Sequence, residues 1–253
     1  MLIEQQIKQF TSLNKWFQNS LGLSVAEEFK KQLEPVLDYL KGDTLLQLGH
    51  YTHNLWLDDL QFNKKWLASP FYAKEDNLLV CSLNHIPLQR NSLDCVVAPL
   101  AIEPFDDSVN LIDEIDRILK PMGYVVFFSL NPWSLWGGAI KSGVVNCYSE
   151  KQIKMQTAFH LNRLFIQRGY RQCSLNNFYY IPPVNNSTLI KKLSFCNEIG
   201  KMLWPFPSGF YCYIAQKYEA ISPSLVTDAV MEALPKEYDA SLPVTNILGY
   251  KPE

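Results

Sequence analysis

Residues that could bind a ligand and act on it are concentrated at one predicted strand-to-helix turn. The apolar run 44–48 ends at Gly49, and a stretch compatible with a helix follows. In open α/β folds such a turn lies at the carboxyl ends of the strands, where ligands bind. His50 and His53 lie in this turn and could act as bases or polar contacts, or could have structural roles. Gln47, two residues before the glycine, could hydrogen-bond a ligand.

The elements that must position this turn begin with a helical segment over residues 1–40, where apolar residues recur at helical spacing. Gly22 is predicted to interrupt the helical pattern. Ser24 followed by Glu27 is a capping-box pattern, which predicts the start of a second helix. We interpret the segment as a helical cap packed on a sheet. The alternative is that its aromatic residues help to close a ligand pocket.

Beyond residue 40, apolar runs alternate with helical patterns, which favours a mostly parallel sheet. Strands are predicted at residues 44–48, 66–68, 78–81, 93–98, 124–129, 173–181 and 209–217. Helices are predicted at residues 54–61, 106–119, 149–168 and 187–203. The chain is therefore predicted to form one domain over residues 1–219, followed by a tail over residues 220–253 that is partly ordered or draped over the domain.

Composition narrows the functional classes. With 253 residues, 47% of them hydrophobic and 19% charged, the chain can build a sizeable core. A net charge of −2 leaves no basic surplus to neutralise a phosphate backbone, so nucleic acid is not expected as a partner. The six cysteines form no CxxC pair and none has metal-ligand spacing with histidine, which indicates free thiols, no metal site and the cytoplasm. No apolar run approaches the ~20 residues of a membrane span.

Three segments together resemble the class I S-adenosylmethionine-dependent methyltransferases, and within them the type 11 methyltransferase subgroup. The first is LQLG at residues 46–49, similar to the family's strand-one motif, and the second is IPLQRNSLD at residues 86–94. The third is RILKPMG at residues 117–123, followed by SLNPWSLWG at residues 129–137. The resemblance implies an α/β, Rossmann-like fold. Its seven-stranded sheet is mostly parallel, with an antiparallel last strand inserted beside the sixth.

The resemblance also implies that S-adenosylmethionine lies across the carboxyl ends of strands one to four. Carried over position by position, the residues that face the methionine part are Gln47, Gly49, His50 and Tyr51. Ser69 faces the ribose, Ser82 and Leu83 flank the adenine, and Ala98 and Pro99 lie under the sulfonium.

Several of these positions depart from the family's pattern. Tyr51 and His53 replace the second and third glycines of the turn, where glycine lets the backbone approach a ligand. Side chains there would crowd the site or push the loop outward. The family usually has acids at the positions of Gln47, of either Leu67 or Ser69, and of Ser82. Charge-assisted hydrogen bonds are about twice as strong as neutral ones.

Three functions follow from these residues. The first is methyl transfer from S-adenosylmethionine to a small-molecule acceptor. The second is a catalytically inactive, methyltransferase-like binding or scaffolding protein, and the third is binding of another nucleotide-like or acidic metabolite. Methyl transfer needs mainly alignment of the nucleophile and the methyl group, so no catalytic residue is assigned. Trp133, Trp136 and Tyr148 are candidates for a substrate lid or for core packing. The oligomeric state is not assigned.

Overall fold

A computed structural model describes residues 1–75, 77–105, 108–149, 153–184, 186–197, 200 and 207–218. The predicted tail over residues 220–253 lies outside the described residues, so the domain boundary at residue 219 stays a prediction.

One seven-stranded sheet forms the centre of the described domain. Its strands are β1 (Lys41–Leu48), β2 (Gln61–Ser69), β3 (Leu78–Val80), β4 (Leu93–Pro99), β5 (Leu119–Leu130), β6 (Tyr170–Phe178) and β7 (Phe210–Lys217). They pair in the order β3-β2-β1-β4-β5-β7-β6, and β7 runs antiparallel to both of its neighbours. The near-continuous burial of β4, β5 and β7 is typical of strands covered on both faces. The predicted α/β, Rossmann-like fold with an antiparallel last strand is confirmed.

Four strands differ from the prediction by three residues or more, for local reasons. β1 begins at Lys41 rather than at residue 44, because it pairs with β2 from that residue. β2 begins five residues before the predicted 66–68 strand because it pairs with β1 from Lys41 onward. β5 begins at Leu119 and absorbs the predicted turn, because a register shift against β4 and a positive φ of 64° at Met122 accommodate the extra residues. β6 ends at Phe178 rather than residue 181, because Tyr179 takes a φ of 62°.

Helices cover the sheet. They are α1 (Ile3–Phe17), α2 (Ser20–Leu33), α3 (Ser108–Ile118), α4 (Leu135–Lys141), α5 (Ala158–Ile166) and α6 (Ser187–Lys192). The predicted helix over residues 54–61 is only a 3-10 turn, Leu55–Leu57, because β2 already starts at Gln61. α6 is shorter than the predicted helix over residues 187–203, part of which lies outside the described residues.

Two predicted helix starts are wrong. Ser24 and Glu27 lie inside α2, which begins at Ser20 after a break at residues 18–19. The hydroxyl of Ser24 instead accepts a hydrogen bond from Tyr179 at 3.1 Å. α5 begins after Thr157, whose hydroxyl accepts from the backbone N–H of His160, and not at residue 149. A side-chain hydrogen bond to the backbone therefore marks the start of α5, whereas Asn19, which precedes α2, makes no such bond.

α2 is fastened to the carboxyl end of the sheet by an aromatic cluster. The ring of Phe29 stacks on Phe128 of β5 with 4.2 Å between centroids and an interplanar angle of 5°. Phe17 of α1 packs edge-on against the same Phe29 ring at 6.1 Å. Aromatic pairs of this geometry add about 0.5–1.5 kcal/mol beyond the area they bury. The cluster places α1 over the strand ends where the sequence predicts the ligand site.

The predicted interruption of the helix at Gly22 is wrong. Gly22 lies inside α2, at the point where α2 contacts the end of α1. A Cβ built at this position would overlap the carbonyl oxygen of Trp16 at the end of α1. Because that oxygen belongs to the backbone, the two helices would have to separate to make room.

Gly22→Ala is therefore expected to lower the free energy of unfolding by about 2–3 kcal/mol, as overpacking of a core does. Gly138→Ala is the matched control, since a Cβ at Gly138 in α4 meets nothing within 4 Å. That change is expected to stabilise the protein by up to about 1 kcal/mol through helix propensity. Urea unfolding of both variants measures the difference, and equal effects of the two substitutions would contradict this packing account.

Candidate functional site

The turn after β1 is built around Gly49. Its φ of 92° lies in the left-handed region that favours glycine, and its N–H donates to the carbonyl of Ala68 at 2.7 Å. A Cβ on Gly49 would lie 2.6 Å from the hydroxyl oxygen of Tyr51. The glycine is thus required both by the backbone conformation and by the tyrosine that folds back over it.

Tyr51 occupies the position that the family resemblance assigns to the methionine part. Its side chain is fully buried, and its hydroxyl donates to the carbonyl of Pro99 at 2.9 Å, at the end of β4. Its ring packs against Phe17 of α1 and Trp56, with centroids 4.8 Å and 5.9 Å away. Burial raises the pKa of this phenol well above its ordinary value, so it stays a hydrogen-bond donor. Ala98, beside Pro99, is also fully buried.

The two histidines of the turn separate. His53 is exposed, whereas His50 is buried and lies with Nε2 3.1 Å from a carboxylate oxygen of Glu75. Phe71 stacks on the His50 ring with 6.0 Å between centroids. Burial lowers the pKa of His50, although Glu75 opposes the shift, so the neutral ring predominates at pH 7. His50 therefore closes the loop after β2 over the side of the cleft that the resemblance assigns to the ribose.

The buried side chain of Gln47 hydrogen-bonds three residues of the turn and so stabilises its conformation. Its side-chain amide donates to the carbonyl of Gly49 at 3.0 Å and to the side-chain oxygen of Asn54 at 2.6 Å. Its own carbonyl oxygen accepts from the indole N–H of Trp56 at 2.7 Å. Ser69 has a similar local role, because its hydroxyl accepts from the backbone N–H of Phe71 at 3.2 Å. Both side chains are engaged with the protein rather than free for a ligand.

Gln6 of α1, which was not predicted from the sequence, lies on the side of the cleft that the resemblance assigns to the adenine. Its amide nitrogen donates to the hydroxyl of Ser82 at 3.1 Å, and its carbonyl oxygen accepts from the backbone N–H of Leu83 at 3.0 Å. The side chain is fully buried. A sequence signal existed, because Gln6 and Gln9 share the helical stripe of Phe10 and should have been read as buried polar residues.

Glu103 is a second missed residue. It follows β4, is fully buried, and accepts from the backbone N–H of Leu130 at 2.9 Å. The hydroxyl of Tyr148 lies 3.4 Å from its other oxygen and 3.1 Å from the carbonyl of Leu100. Burial raises the pKa of Glu103 to about 7. The carboxyl therefore ties the loop after β4 to the end of β5 behind the cleft, and it titrates near neutral pH.

The aromatic residues proposed as a lid do not act as one group. Trp136 and Tyr148 are buried, and the indole of Trp136 donates to the carbonyl of Ile181 at 2.9 Å. Trp133 is 79% exposed. Of the three candidates, only Trp133 is placed to meet a molecule from solution in this conformation.

In this conformation the cleft does not fit S-adenosylmethionine. The groups that would receive its polar atoms are present, but this chain's own side chains already bind them. Gln6 hydrogen-bonds the hydroxyl of Ser82 and the backbone N–H of Leu83, and Tyr51 hydrogen-bonds the carbonyl of Pro99. A pocket of about 390 Å³ at the edge of β2 is lined by His53 and Glu75, among others, and its lining does not include Tyr51.

Several wider expectations bear on the site. All six cysteines are free thiols, as predicted. Among the described residues, no three or more His, Cys, Asp or Glu side chains come together as a metal site would require. In the same part of the chain no helix is long and apolar enough to cross a membrane. The cytoplasmic location stays a prediction.

Residues 41–127 match the family model described as a methyltransferase domain. The match begins at the first residue of β1 and ends within β5, so it contains the glycine turn and the ends of β1 to β4. Among curated proteins, none matches the chain. The predicted resemblance to class I methyltransferases of the type 11 subgroup is thereby confirmed.

Solved structures share the fold at low identity. A chain of the complex between the Haloferax volcanii Trm112 methyltransferase activator and a methyltransferase superposes with a TM-score of 0.57 at 15% identity, covering 82% of this chain and 98% of that one. A SAM-dependent methyltransferase from Archaeoglobus fulgidus superposes with a TM-score of 0.53 at 18% identity, covering 76% of this chain and 94% of that one. Geranyl diphosphate C-methyltransferase from Streptomyces coelicolor, in complex with S-adenosyl-L-homocysteine, superposes with a TM-score of 0.52 at 15% identity. The match covers 74% of this chain and 78% of that one.

The raised pKa of Glu103 predicts how stability depends on pH. The native protein retains a proton that the unfolded chain releases between its ordinary pKa of 4.5 and about pH 7. The stabilisation is complete below pH 4.5 and is lost as the pH rises to about 7.

Glu103→Gln should remove this dependence while keeping an acceptor for the N–H of Leu130. From pH 5 to pH 8, the variant is expected to gain stability relative to the parent protein, by about 2–3 kcal/mol for a shift of this size. Urea unfolding at the two pH values measures it. A stability difference that is the same at both would show that burial does not shift this carboxyl.

Proposed function

We propose that this chain, which carries a methyltransferase domain of the class I fold, transfers a methyl group from S-adenosylmethionine to a small-molecule acceptor once Tyr51 has left the cleft. The observation that supports the proposal is the set of backbone groups that converges there. Gly49 keeps its positive φ, and the N–H of Leu83 and the carbonyl of Pro99 point at polar partners. Each group is met by a polar atom of this chain, which a ligand atom could replace.

A small-molecule acceptor is inferred from one structural neighbour and from one exposed ring. The neighbour from Streptomyces coelicolor is named for methylation of geranyl diphosphate, a small molecule, whereas the Haloferax volcanii neighbour is found with a protein activator. The exposed ring of Trp133, in the loop after β5, offers an apolar surface for a small acceptor.

Opening the cleft has a calculable cost. Moving Tyr51 into water gives up about 1.5–3 kcal/mol of aromatic burial and about 1 kcal/mol for its hydrogen bond. Cofactor affinity should therefore be about 10²–10³-fold weaker than for the same site with the tyrosine absent. The parent protein is thus expected to bind the cofactor weakly.

A second function is favoured by the complete burial of Tyr51. Its contacts with Phe17 and Trp56 make it part of the core, as a residue in a disused cofactor site would be. In that case the protein is a non-catalytic, methyltransferase-like binding or scaffolding protein. The two functions differ in whether the cleft accepts the cofactor after the tyrosine is removed.

Calorimetric titration with S-adenosylhomocysteine separates them. Tyr51→Gly restores a glycine to the turn and is expected to bind about 100-fold more tightly than the parent protein, because the cost of moving the ring is gone. Tyr51→Phe is the matched control: it keeps the ring and loses only the hydroxyl, so its affinity should stay within about fivefold of the parent's.

Tyr51→Ala gives a second opened variant in case the glycine variant is poorly folded, and the thermal unfolding midpoint of each variant is measured first. If neither opened variant binds at ~1 mM, a level worth only about 4 kcal/mol, methyl transfer is contradicted and the non-catalytic function is supported.

A further inference from the structure

We propose that residues 1–9, which comprise the two residues before α1 and the first half of α1, are an intramolecular competitor that occupies the adenine side of the cleft and leaves when the cofactor binds. The proposal rests on the proposed function, because it requires a cofactor to compete with. In this proposal the side chain of Gln6 makes the hydrogen bonds that an adenine ring would make.

The hydrogen-bond pattern of Gln6 supports this assignment. The side-chain amide presents a donor to Ser82 and, beside it, an acceptor to the N–H of Leu83. An adenine ring presents the same pair on one edge, its exocyclic amine as donor and the adjacent ring nitrogen as acceptor. Gln6 and an adenine ring would therefore satisfy the same two groups and cannot both do so.

The distribution of polarity along α1 shows which part can leave. In its first half the buried side chains are the polar ones, Gln6 and Gln9, whereas Leu2, Ile3 and Ile7 are 75%, 48% and 37% exposed. This is the reverse of an ordinary surface helix, which buries its apolar face. Met1 is the exception, since it is half-buried against the core. Lifting this half away from the cleft would therefore expose little apolar surface of the segment itself beyond that of Met1.

The second half of α1 is different. Phe10, Leu13, Trp16 and Phe17 are buried there, and they pack the helix against α2 and the turn. These contacts would hold the second half in place while the first half moved. The boundary between a polar, hydrogen-bonded half and an apolar, packed half lies between Gln9 and Phe10.

Few bonds hold the first half to the rest of the domain. Besides the two made by Gln6, the side chain of Asn84 donates to the carbonyl of Met1 at 3.3 Å, and the N–H of Ser149 donates to Gln9 at 3.0 Å. A ligand that makes the same two hydrogen bonds gains them only when the two bonds of Gln6 break, so the two pairs of bonds offset each other. Removing Gln6 should therefore raise cofactor affinity about tenfold, the value of two modest neutral hydrogen bonds.

The test compares Gln6→Ala with Lys8→Ala, an exposed position on the same helix, both in the Tyr51→Gly background. S-adenosylhomocysteine is the probe and calorimetry gives its dissociation constant. Gln6→Ala is expected to tighten binding about tenfold, and Lys8→Ala to leave it unchanged within about twofold. Weaker binding by Gln6→Ala would overturn the proposal, because it would make Gln6 a cofactor contact in an ordinary lid.

Hydrogen exchange supplies a second readout. On adding S-adenosylhomocysteine to the Tyr51→Gly protein, exchange should become faster at the amides of residues 6–9 while the amide of Leu83 stays protected. Slower exchange at residues 6–9 would overturn the competition and leave the proposed function standing. No binding to any variant would instead overturn the proposed function and, with it, the competition.

Discussion

The hydrogen bond from Tyr51 to the carbonyl of Pro99 is the constraint on which the state of the cleft depends. It joins the turn after β1 to the end of β4, the two places between which a cofactor would lie in this fold. The ring of Tyr51 packs against Phe17 and Trp56, and the contact with Phe17 joins the turn to α1. The donor is well suited to this role, because burial keeps the phenol protonated at any ordinary pH.

The surrounding side chains continue the same arrangement. Gln6 hydrogen-bonds Ser82 on the side that the resemblance assigns to the adenine, and His50 pairs with Glu75 on the side that it assigns to the ribose. Gln47 fixes the turn from within. Each bond is modest, about 1 kcal/mol for a neutral pair, but together they occupy most of the polar groups named here, although Nδ1 of His50 is buried without a hydrogen-bond partner. The fold is that of a methyltransferase, and the site is filled by the chain itself.

Much of the fold could be predicted from the sequence, because buried strands such as 124–129 and the glycine turn at residue 49 carry strong local patterns. The sequence also identified Tyr51 and His53 as departures from the family's glycine turn, but it could not say whether either side chain would turn inward. For Tyr51 that outcome depends on Phe17 and Pro99, which are distant in sequence and meet only in the folded domain. The helical stripe could indicate that Gln6 is buried but not what it binds, since its partners lie 76 and 77 residues away.

A crystal structure of the parent protein grown with saturating S-adenosylhomocysteine would show whether the ligand and the buried Tyr51 ring exclude each other. We expect the ligand only where Tyr51 has turned out of the cleft, with the adenine on the N–H of Leu83 and Gln6 displaced. Ligand bound in the cleft while the Tyr51 hydroxyl still donates to Pro99 would contradict this expectation, because the two would then not be competing for the same space.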